Sequence, residues 1–382
     1  MPWTRTDPMT ERKQFIDAWL SGLYTVTELS ERFGISRKTG DKWISRFKQL
    51  GIAGLADQSR APKTCPHRMA DEMRELLLET RRSRPSWGAR MVIQRLRKRH
   101  PELDFPAAST VADLFKREGL IKSRRRRRKH VHPGRPTRDP KAPNDMWTAD
   151  FKGEFKLGTG AYCYPLTVAD EYSRFILGCT ALDSTRGKPV KPAFEALFRE
   201  YGLPRQILTD NGVPFASVGL QGLTDLSVWW IRLGIQLVRT QPGCPQQNGT
   251  HERMHRTLKA ETTRPPDRSK RAQQRKFDEF VDDFNFERPH TAHDGATPSE
   301  VYEPSAREYP KRLPRIEYPA HFEIRRVSNC GTIRWRRKQL HVSLPLRNLD
   351  IGFEEVADGI WSIYFCDVLL GRMDDRERRI QA

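Results

Sequence analysis

Residues 147–155 read W-T-A-D-F-K-G-E-F, residues 161–170 read A-Y-C-Y-P-L-T-V-A-D, and residues 174–182 read R-F-I-L-G-C-T-A-L. These three β-rich runs are separated by glycine or by a D-E-Y-S turn. A helical pattern at 189–201 follows, and then a short strand, R-Q-I-L-T-D, at 205–210. Strands that give way to alternating helices and strands predict a mixed sheet covered by helices, an α/β layer fold.

The segment before this core is helical. Residues 10–50 show helical periodicity broken by one tight turn, where Gly34 ends a second helix and Ser36 can cap a third. Two helices joined by a short turn are typical of a helix-turn-helix unit, with a plain three-helix bundle as the alternative. Gly40 weakens the third helix by about 1 kcal/mol, so close packing there must compensate. The residues expected to face a DNA groove are Arg37, Lys38, Thr39 and Lys42.

Residues 67–120 carry three more helical patterns and resemble a second helix-turn-helix or winged unit, though less clearly. A linker follows at 122–145, because 122–129 read K-S-R-R-R-R-R-K and 130–145 contain four prolines. A basic run between two DNA-binding units can lie along phosphates, and a solvated charged segment is the alternative. The linker residues expected to contact DNA are Arg124, Arg125, Arg126, Arg127, Arg128 and Lys129.

Short strands return from residue 321 onward, with N-C-G and D-G turns between them. They predict a small all-β domain, a barrel or meander. The expected domains are therefore two helical units, a basic proline-rich linker, an α/β core and a β-barrel-like domain, at residues 1–62, 63–121, 122–145, 146–308 and 309–382.

Composition favours a polyanionic partner. The 382 residues carry a formal net charge of +20, and nucleic acid is a better candidate than a membrane surface. The sequence has neither an apolar run long enough to span a membrane nor the apolar region of a secretory signal. Six scattered cysteines without a C-x-x-C pair argue against a disulfide framework, so a cytoplasmic location is expected.

Three acidic residues lie where the chain can bring them together. Asp150 is in the first strand, Asp210 ends a later strand, and Glu252 begins a helix. Carboxylates that converge repel one another unless cations lie between them. Oxygen ligands suit Mg²⁺ or Mn²⁺, and two such ions can clamp an in-line phosphoryl displacement.

Local sequence around these residues resembles the catalytic core of retroviral-type integrases and of the DDE transposases of bacterial insertion sequences. The matching segments are W-T-A-D-F (147–151), L-T-D-N-G (208–212), Q-P-G-C-P-Q-Q-N-G-T-H-E-R-M-H-R-T-L-K (241–259) and F-N-F-E-R-P-H (284–290). S-R-K-T-G-D-K-W (36–43) and G-I-A-G-L-A-D-Q-S-R-A-P (51–62) are similar to the DNA-binding head of such transposases.

The resemblance implies an RNase H-like core in which Asp150, Asp210 and Glu252 hold divalent metal ions and catalyse DNA cleavage and joining. The 41 residues between Asp210 and Glu252 exceed the usual spacing in the family. We expect the extra length to fall at 218–230 and to alter loop geometry without removing the triad.

The residues around the triad have expected roles of their own. Arg256 and Lys259 share a helix face with Glu252 and are candidate phosphate contacts. Asn211 and Gly212 are supporting residues: Asn211 could orient a ligand, and Gly212 permits close backbone approach. The resemblance also gives Asn285, Arg288 and His290 a supporting role, either at the active site or in structure alone. Asp170 and Glu171 are expected in a surface turn without catalytic function.

A rival motif overlaps Glu252. His251-Glu252-x-x-His255 is an H-E-x-x-H pattern, which in metalloproteases binds zinc through both histidines. This interpretation leaves Asp210, the helix-turn-helix pattern and the basic charge unexplained.

The sequence therefore predicts a bacterial DNA transposase that binds element ends, cleaves their 3′ ends and joins them to target DNA. Its expected partners are double-stranded DNA and at least one further copy of the chain, since two DNA ends must be paired. A non-catalytic DNA-binding regulator on a transposase-like core is the second hypothesis.

Overall fold

The structure is a computed structural model that describes residues 7–58, 69–121, 139–377 and 379–381. Internal contacts divide the chain into two compact units, one up to Met69 and one from Ala70 onward. No helix in the described ranges is both long and apolar enough to cross a membrane.

The first unit contains three helices: α1 (Pro8–Leu20), α2 (Val26–Arg32) and α3 (Arg37–Leu50). Ser36 caps α3 as predicted, because its side chain accepts a hydrogen bond from the Thr39 backbone N–H. Gly34 takes a positive φ of 62° in the turn between α2 and α3, a conformation that glycine adopts without strain. The helix-turn-helix prediction is confirmed for this segment, whose core is Phe15, Ile16, Leu29, Trp43, Ile44 and Leu55.

At Gly40, α3 lies very close to α1 and α2. A Cβ atom at this position would lie 2.9 Å from Ser30 Oγ and 3.0 Å from the Phe15 ring. Glycine therefore lets α3 pack directly on α1 and α2, which is the compensation that its weak helix propensity requires.

We expect Gly40→Leu to destabilise the first unit by about 2 kcal/mol, because the added side chain must displace Phe15 and Ser30. Hydrogen exchange measured by mass spectrometry should show faster exchange in α1–α3. Asp41→Leu, at the exposed neighbouring position, is the control and should leave exchange nearly unchanged. Equal exchange in the two variants would contradict this packing.

The second unit begins with three short helices, α4 (Asp71–Ser83), α5 (Ala89–Arg99) and α6 (Ala108–Arg117). Their apolar faces meet in a small core of Leu77, Trp87, Val92, Leu96, Val111 and Phe115. The three helical patterns predicted for this region are thus present.

A mixed sheet forms the centre of the second unit. Its strands are β1 (Met146–Phe151), β2 (Phe155–Lys156), β3 (Tyr162–Asp170), β4 (Ile176–Leu182), β5 (Gln206–Thr209) and β6 (Gln236–Arg239). The order is β2-β3-β1-β5-β6, with β4 also paired to β3. β3 is antiparallel to β1 and β4, whereas β1, β5 and β6 run parallel. The predicted α/β core is confirmed.

Helices cover both faces of this sheet. They are α7 (Gly187–Tyr201), α8 (Asp225–Arg232), α9 (Gly249–Thr262), α10 (Lys270–Asp282) and the short α11 (Pro298–Val301). Trp147 and Ala149 of β1 belong to the apolar cluster formed with α7 and α8. Side chains alternate along a strand, so Thr148 and Asp150 point to the opposite face, where α9 packs.

The C-terminal region is antiparallel β-structure. Five strands, β7 (Glu323–Arg326), β10 (Asp350–Ala357), β11 (Ile360–Phe365), β12 (Val368–Asp374) and β13 (Arg379–Gln381), pair in the order β13-β12-β11-β10-β7. β8 (Thr332–Trp335) and β9 (Lys338–His341) form a separate hairpin that shares the same apolar core. The predicted all-β region is confirmed in the described ranges, and of the two predicted forms, barrel or meander, the consecutive antiparallel pairing of β10 to β13 matches the meander.

Part of the segment between Asp210 and Glu252 packs on this C-terminal sheet. Leu223, Val228 and Ile231, on or next to α8, are part of the apolar cluster of the sheet itself. Arg347 also pairs with Asp225 at 2.9 Å. The segment at 223–231 thus supports the C-terminal sheet through apolar contacts and one ion pair.

Ion pairs attach α5 and the loop before it to the core. Arg95 and Arg99 both bind Glu287, in the π-helical turn that continues α10. Two further pairs are Arg84 with Asp283 and Lys98 with Glu300, each at 2.5 Å. Arg95, Lys98 and Arg99 of this helix are therefore paired with acidic residues of the chain.

We expect Glu287→Gln to loosen this attachment, because it removes the shared partner of two arginines. The predicted destabilisation is about 1 kcal/mol, seen as roughly fivefold faster hydrogen exchange in residues 84–99. Glu195→Gln, which breaks a surface pair with Arg199 on α7, is the control. An unchanged exchange rate in 84–99, or an effect insensitive to salt, would argue against the ionic attachment.

Candidate active site

Asp150 lies near the carboxyl end of β1, half-buried and opposite Thr167 of β3. Burial raises the pKa of its carboxyl group to about 7, and the charges of Asp210 and Glu252 act in the same direction. The charges of the other two predicted carboxylates therefore act on Asp150.

Asp210 follows β5, the strand that runs parallel to β1, so both aspartates lie at the same edge of the sheet. The backbone N–H of Gly212 donates to Asp210 Oδ1 at 3.0 Å. A Cβ atom at position 212 would lie only 3.1 Å from Asp210 Oδ2. The close backbone approach predicted for Gly212 is thus made to Asp210 itself.

Asn211 is exposed, and its side-chain amide donates to the Thr240 carbonyl at 2.7 Å. This hydrogen bond ties the loop after β5 to the end of β6. Asn211 therefore supports the loop that carries Asp210.

Glu252 is exposed in the first turn of α9. In the described ranges, no three His, Cys, Asp or Glu side chains are close enough to form a ready-made metal site. The carboxylates nevertheless fit a divalent cation, because all their donors are oxygens and their mutual repulsion helps to raise the pKa of Asp150.

Basic side chains surround this acidic site. Arg256 and Lys259 are exposed on α9, and Arg256 also lines the cavity of about 320 Å³ next to residues 284–292. Lys152, which the sequence interpretation missed, lies two residues after Asp150 on the same face of the chain. Burial and the nearby charge of Lys259 lower the pKa of Lys152. Positively charged side chains therefore lie near the site on both the β1 side and the α9 side. The i, i+2 spacing from Asp150 was the signal that could have identified Lys152.

The H-E-x-x-H histidines are buried against the sheet. His251 lies between two threonine hydroxyls, with Nδ1 at 2.8 Å from Thr148 Oγ1 and Nε2 at 2.7 Å from Thr167 Oγ1. His255 Nε2 also contacts Thr167 Oγ1, at 2.6 Å. Burial lowers the pKa of His251 to about 3 and that of His255 to about 2, so both rings are neutral.

This arrangement does not support the zinc interpretation. Both ring nitrogens of His251 are already hydrogen-bonded, and Glu252 is exposed while both histidines are buried. The histidines bind protein groups and leave the acidic site to the carboxylates.

Asn285, Arg288 and His290 make contacts within the fold. The Asn285 amide exchanges two hydrogen bonds with the Ile176 backbone, at 2.8 and 2.9 Å. Arg288 is buried beside Glu261, 3.5 Å away, and the His290 ring packs on Phe284. Arg288 and His290 line a cavity of about 320 Å³ between α9 and the 284–292 segment. These contacts fit the structural alternative, and a role at the active site stays a prediction.

The turn containing Asp170 and Glu171 was expected at the surface, and this prediction is wrong. The two residues are only 1% and 5% exposed. Asp170 accepts hydrogen bonds from the Asn144 N–H and from the Ser173 N–H and hydroxyl, at 2.6–2.8 Å. These three donors allow a carboxylate to be buried.

The proposed DNA contacts of α3 are accessible in the first unit. Arg37, Lys38 and Lys42 are exposed, and Thr39 is half-buried with its hydroxyl 2.9 Å from Ser36 Oγ. The linker residues 124–129 lie outside the described residues.

Comparison with known families places two kinds of domain in the chain. Residues 140–245 and 233–298 match integrase core domains. Residues 11–63 match a helix-turn-helix domain, and residues 39–115 match a homeodomain-like domain. The chain therefore carries an integrase core domain preceded by helix-turn-helix domains.

Individual relatives agree with this assignment. An uncharacterized 31.7 kDa protein of insertion element IS407 from Burkholderia multivorans is 30% identical over 195 residues, which cover 49% of this chain and 66% of that protein. The Gag-Pol polyprotein of baboon endogenous virus is 33% identical over 134 residues, covering 35% of this chain and 7% of the polyprotein. The chain thus spans just under two thirds of the first relative and a small part of the second.

Among solved structures, the catalytic core domain of HTLV-2 integrase in complex with magnesium aligns with a TM-score of 0.35 and 16% identity. The alignment covers 43% of this chain and 99% of that domain.

Proposed function

We propose that this protein is a DNA transposase whose helix-turn-helix domains bind the ends of a mobile element. The integrase core then cleaves the 3′ ends and joins them to target DNA. The observation that carries the proposal is the placement of Asp150 and Asp210 at the ends of the parallel strands β1 and β5, with Glu252 in the first turn of α9, which packs on the same face of the sheet as Asp150. The similarity to an insertion-element protein supports it.

Asp150 and Asp210 would hold Mg²⁺ or Mn²⁺, with Glu252 completing the set and two ions expected. Bound ions would supply a nucleophile and neutralise developing charge on the phosphate. The strand ends fix the two aspartates, and the raised pKa of Asp150 is consistent with negative charge that the protein alone does not balance. The chain would therefore contribute negatively charged ligands in fixed positions, and no covalent intermediate with the protein is required.

DNA would approach along α9, where Arg256 and Lys259 can bind phosphates beside the carboxylates. Lys152 would add a third cation on the β1 side. Arg37, Lys38, Thr39 and Lys42 would read the element end, and the linker arginines would follow the backbone. Pairing two ends requires at least two copies of the chain on double-stranded DNA. The domain limits at 62, 121, 145 and 308 are part of this proposal.

We expect Asp210→Asn to abolish DNA nicking while leaving end-DNA binding intact, because it removes a metal-binding charge and leaves the helix-turn-helix unchanged. Gel-shift and nicking assays with Mg²⁺, and then with EDTA, measure the two properties separately. Asp183→Asn, which changes an exposed carboxylate just after β4, is the matched control and should retain activity.

Full nicking by Asp210→Asn would reject the catalytic assignment. Binding without nicking by the unmodified protein, at any Mg²⁺ or Mn²⁺ concentration, would favour the non-catalytic regulator instead.

The double variant Arg256→Ala/Lys259→Ala should weaken DNA binding to the core equally for all sequences. The log–log dependence of affinity on salt should become shallower by about 0.9 for each phosphate that the variant no longer neutralises. Fluorescence anisotropy at several salt concentrations measures this slope. Arg199→Ala, on the α7 side of the sheet, is the control; an equal change in that variant would indicate a general charge effect.

A further inference from the structure

The H-E-x-x-H motif forms a buried polar network that its two histidines share with the sheet. Thr167 lies at the centre of this network, with its side-chain oxygen touching three groups. It donates to the Asp150 carbonyl at 3.0 Å and contacts His251 Nε2 and His255 Nε2 at 2.7 and 2.6 Å. Thr167 is 0% exposed, so water does not compete for these bonds.

The single proton of the Thr167 hydroxyl determines the direction of each hydrogen bond that this group makes. A threonine hydroxyl has one proton to donate and two lone pairs to accept with. Since the Thr167 proton goes to the Asp150 carbonyl, both histidines must present an Nε2–H to its oxygen. His251 Nδ1 is then an acceptor, and the Thr148 hydroxyl gives its single proton to this nitrogen at 2.8 Å in preference to the more distant Ala169 carbonyl at 3.3 Å. All hydrogen-bonding capacity of Thr167 is used, as buried polar groups require.

The network joins the two elements that carry acidic residues. His251 and His255 flank Glu252 on α9, while the Asp150 carbonyl belongs to β1. His255 Nδ1 lies 3.7 Å from Asp150 Oδ2, too far for a direct hydrogen bond. Apolar contacts of Met254 and Leu258 hold α9 on the sheet. Because such contacts are not directional, they do not fix where the polar groups of α9 lie relative to those of β1.

We propose that Thr167, with His251 and His255, acts as a positioning group that sets the placement of Glu252 relative to Asp150. The proposal rests on the function proposed above. In this proposal the histidines act on the carboxylates only indirectly, through Thr167 and the backbone of α9, and they do not bind zinc. A network that orients metal-binding carboxylates in this way commonly changes metal affinity by about 10–100-fold when it is broken.

Thr167→Val tests this role because it keeps the shape of the side chain and removes the hydroxyl. Mn²⁺ binding to the full-length protein, measured by isothermal titration calorimetry, should weaken about tenfold or more. Thr167→Ser restores the hydroxyl and should bind Mn²⁺ nearly as well as the unmodified protein. Asp210→Asn supplies the baseline for Mn²⁺ bound elsewhere.

Thr262→Val is the matched structural control. Thr262 is also buried, and its hydroxyl donates to the Leu258 carbonyl at 2.7 Å on the same helix. This variant should become less stable to heat and keep its Mn²⁺ affinity. If Thr167→Val does not fold, as judged by circular dichroism, Thr148→Val replaces it. This variant removes the hydroxyl that lies 2.8 Å from His251 Nδ1 and 3.3 Å from the Ala169 carbonyl, and it should weaken Mn²⁺ binding in the same direction.

The outcomes separate this proposal from the proposed function. Normal Mn²⁺ affinity in folded Thr167→Val or Thr148→Val, or a decrease equal to that of Thr262→Val, would overturn the positioning role alone. One zinc ion per chain in the purified protein would overturn it as well, in favour of the histidines as ligands. Absence of both Mn²⁺ binding and nicking in the unmodified protein would reject the function and this proposal together.

Discussion

The alternation of side chains along β1 is the constraint on which the core depends. Trp147 and Ala149 are buried against α7 and α8, so Thr148 and Asp150 must face α9. This single strand therefore supplies a hydrophobic anchor on one side and polar groups on the other. The parallel neighbour β5 ends beside it at Asp210, and α9 packs over the polar face with Glu252 in its first turn.

Much of this arrangement could be predicted from the sequence. The strand runs and the capped helix at Ser36 follow from local patterns, because each depends on spacing along the chain. The choice of Asp150, Asp210 and Glu252 among many acidic residues depended on the resemblance to integrases and transposases. The burial of Asp170 could not be predicted, since it depends on the Asn144 N–H, which lies 26 residues away. The roles of His251 and His255 could not be predicted for the same reason: a motif names residue types and does not reveal which hydroxyls face them.

The positive charge of the chain has two different uses. Part of it is exposed on α3, where it is available to a polyanion. Another part, on α5 and the preceding loop, is neutralised by ion pairs with Asp283, Glu287 and Glu300 of the core. Net charge indicated the class of partner, but a count of basic residues could not distinguish cations that face outward from those that join segments of the chain.

The packing of α8 on the C-terminal sheet limits how the protein can be divided into fragments. Val228 and Ile231 of α8 lie in the same apolar cluster as the C-terminal strands, so their burial depends on residues about a hundred positions further on. A fragment that ends near residue 308 would leave this surface open to water and prone to self-association. The segment between Asp210 and Glu252 therefore also supports the C-terminal sheet. The core cannot be separated from that sheet without exposing this apolar surface.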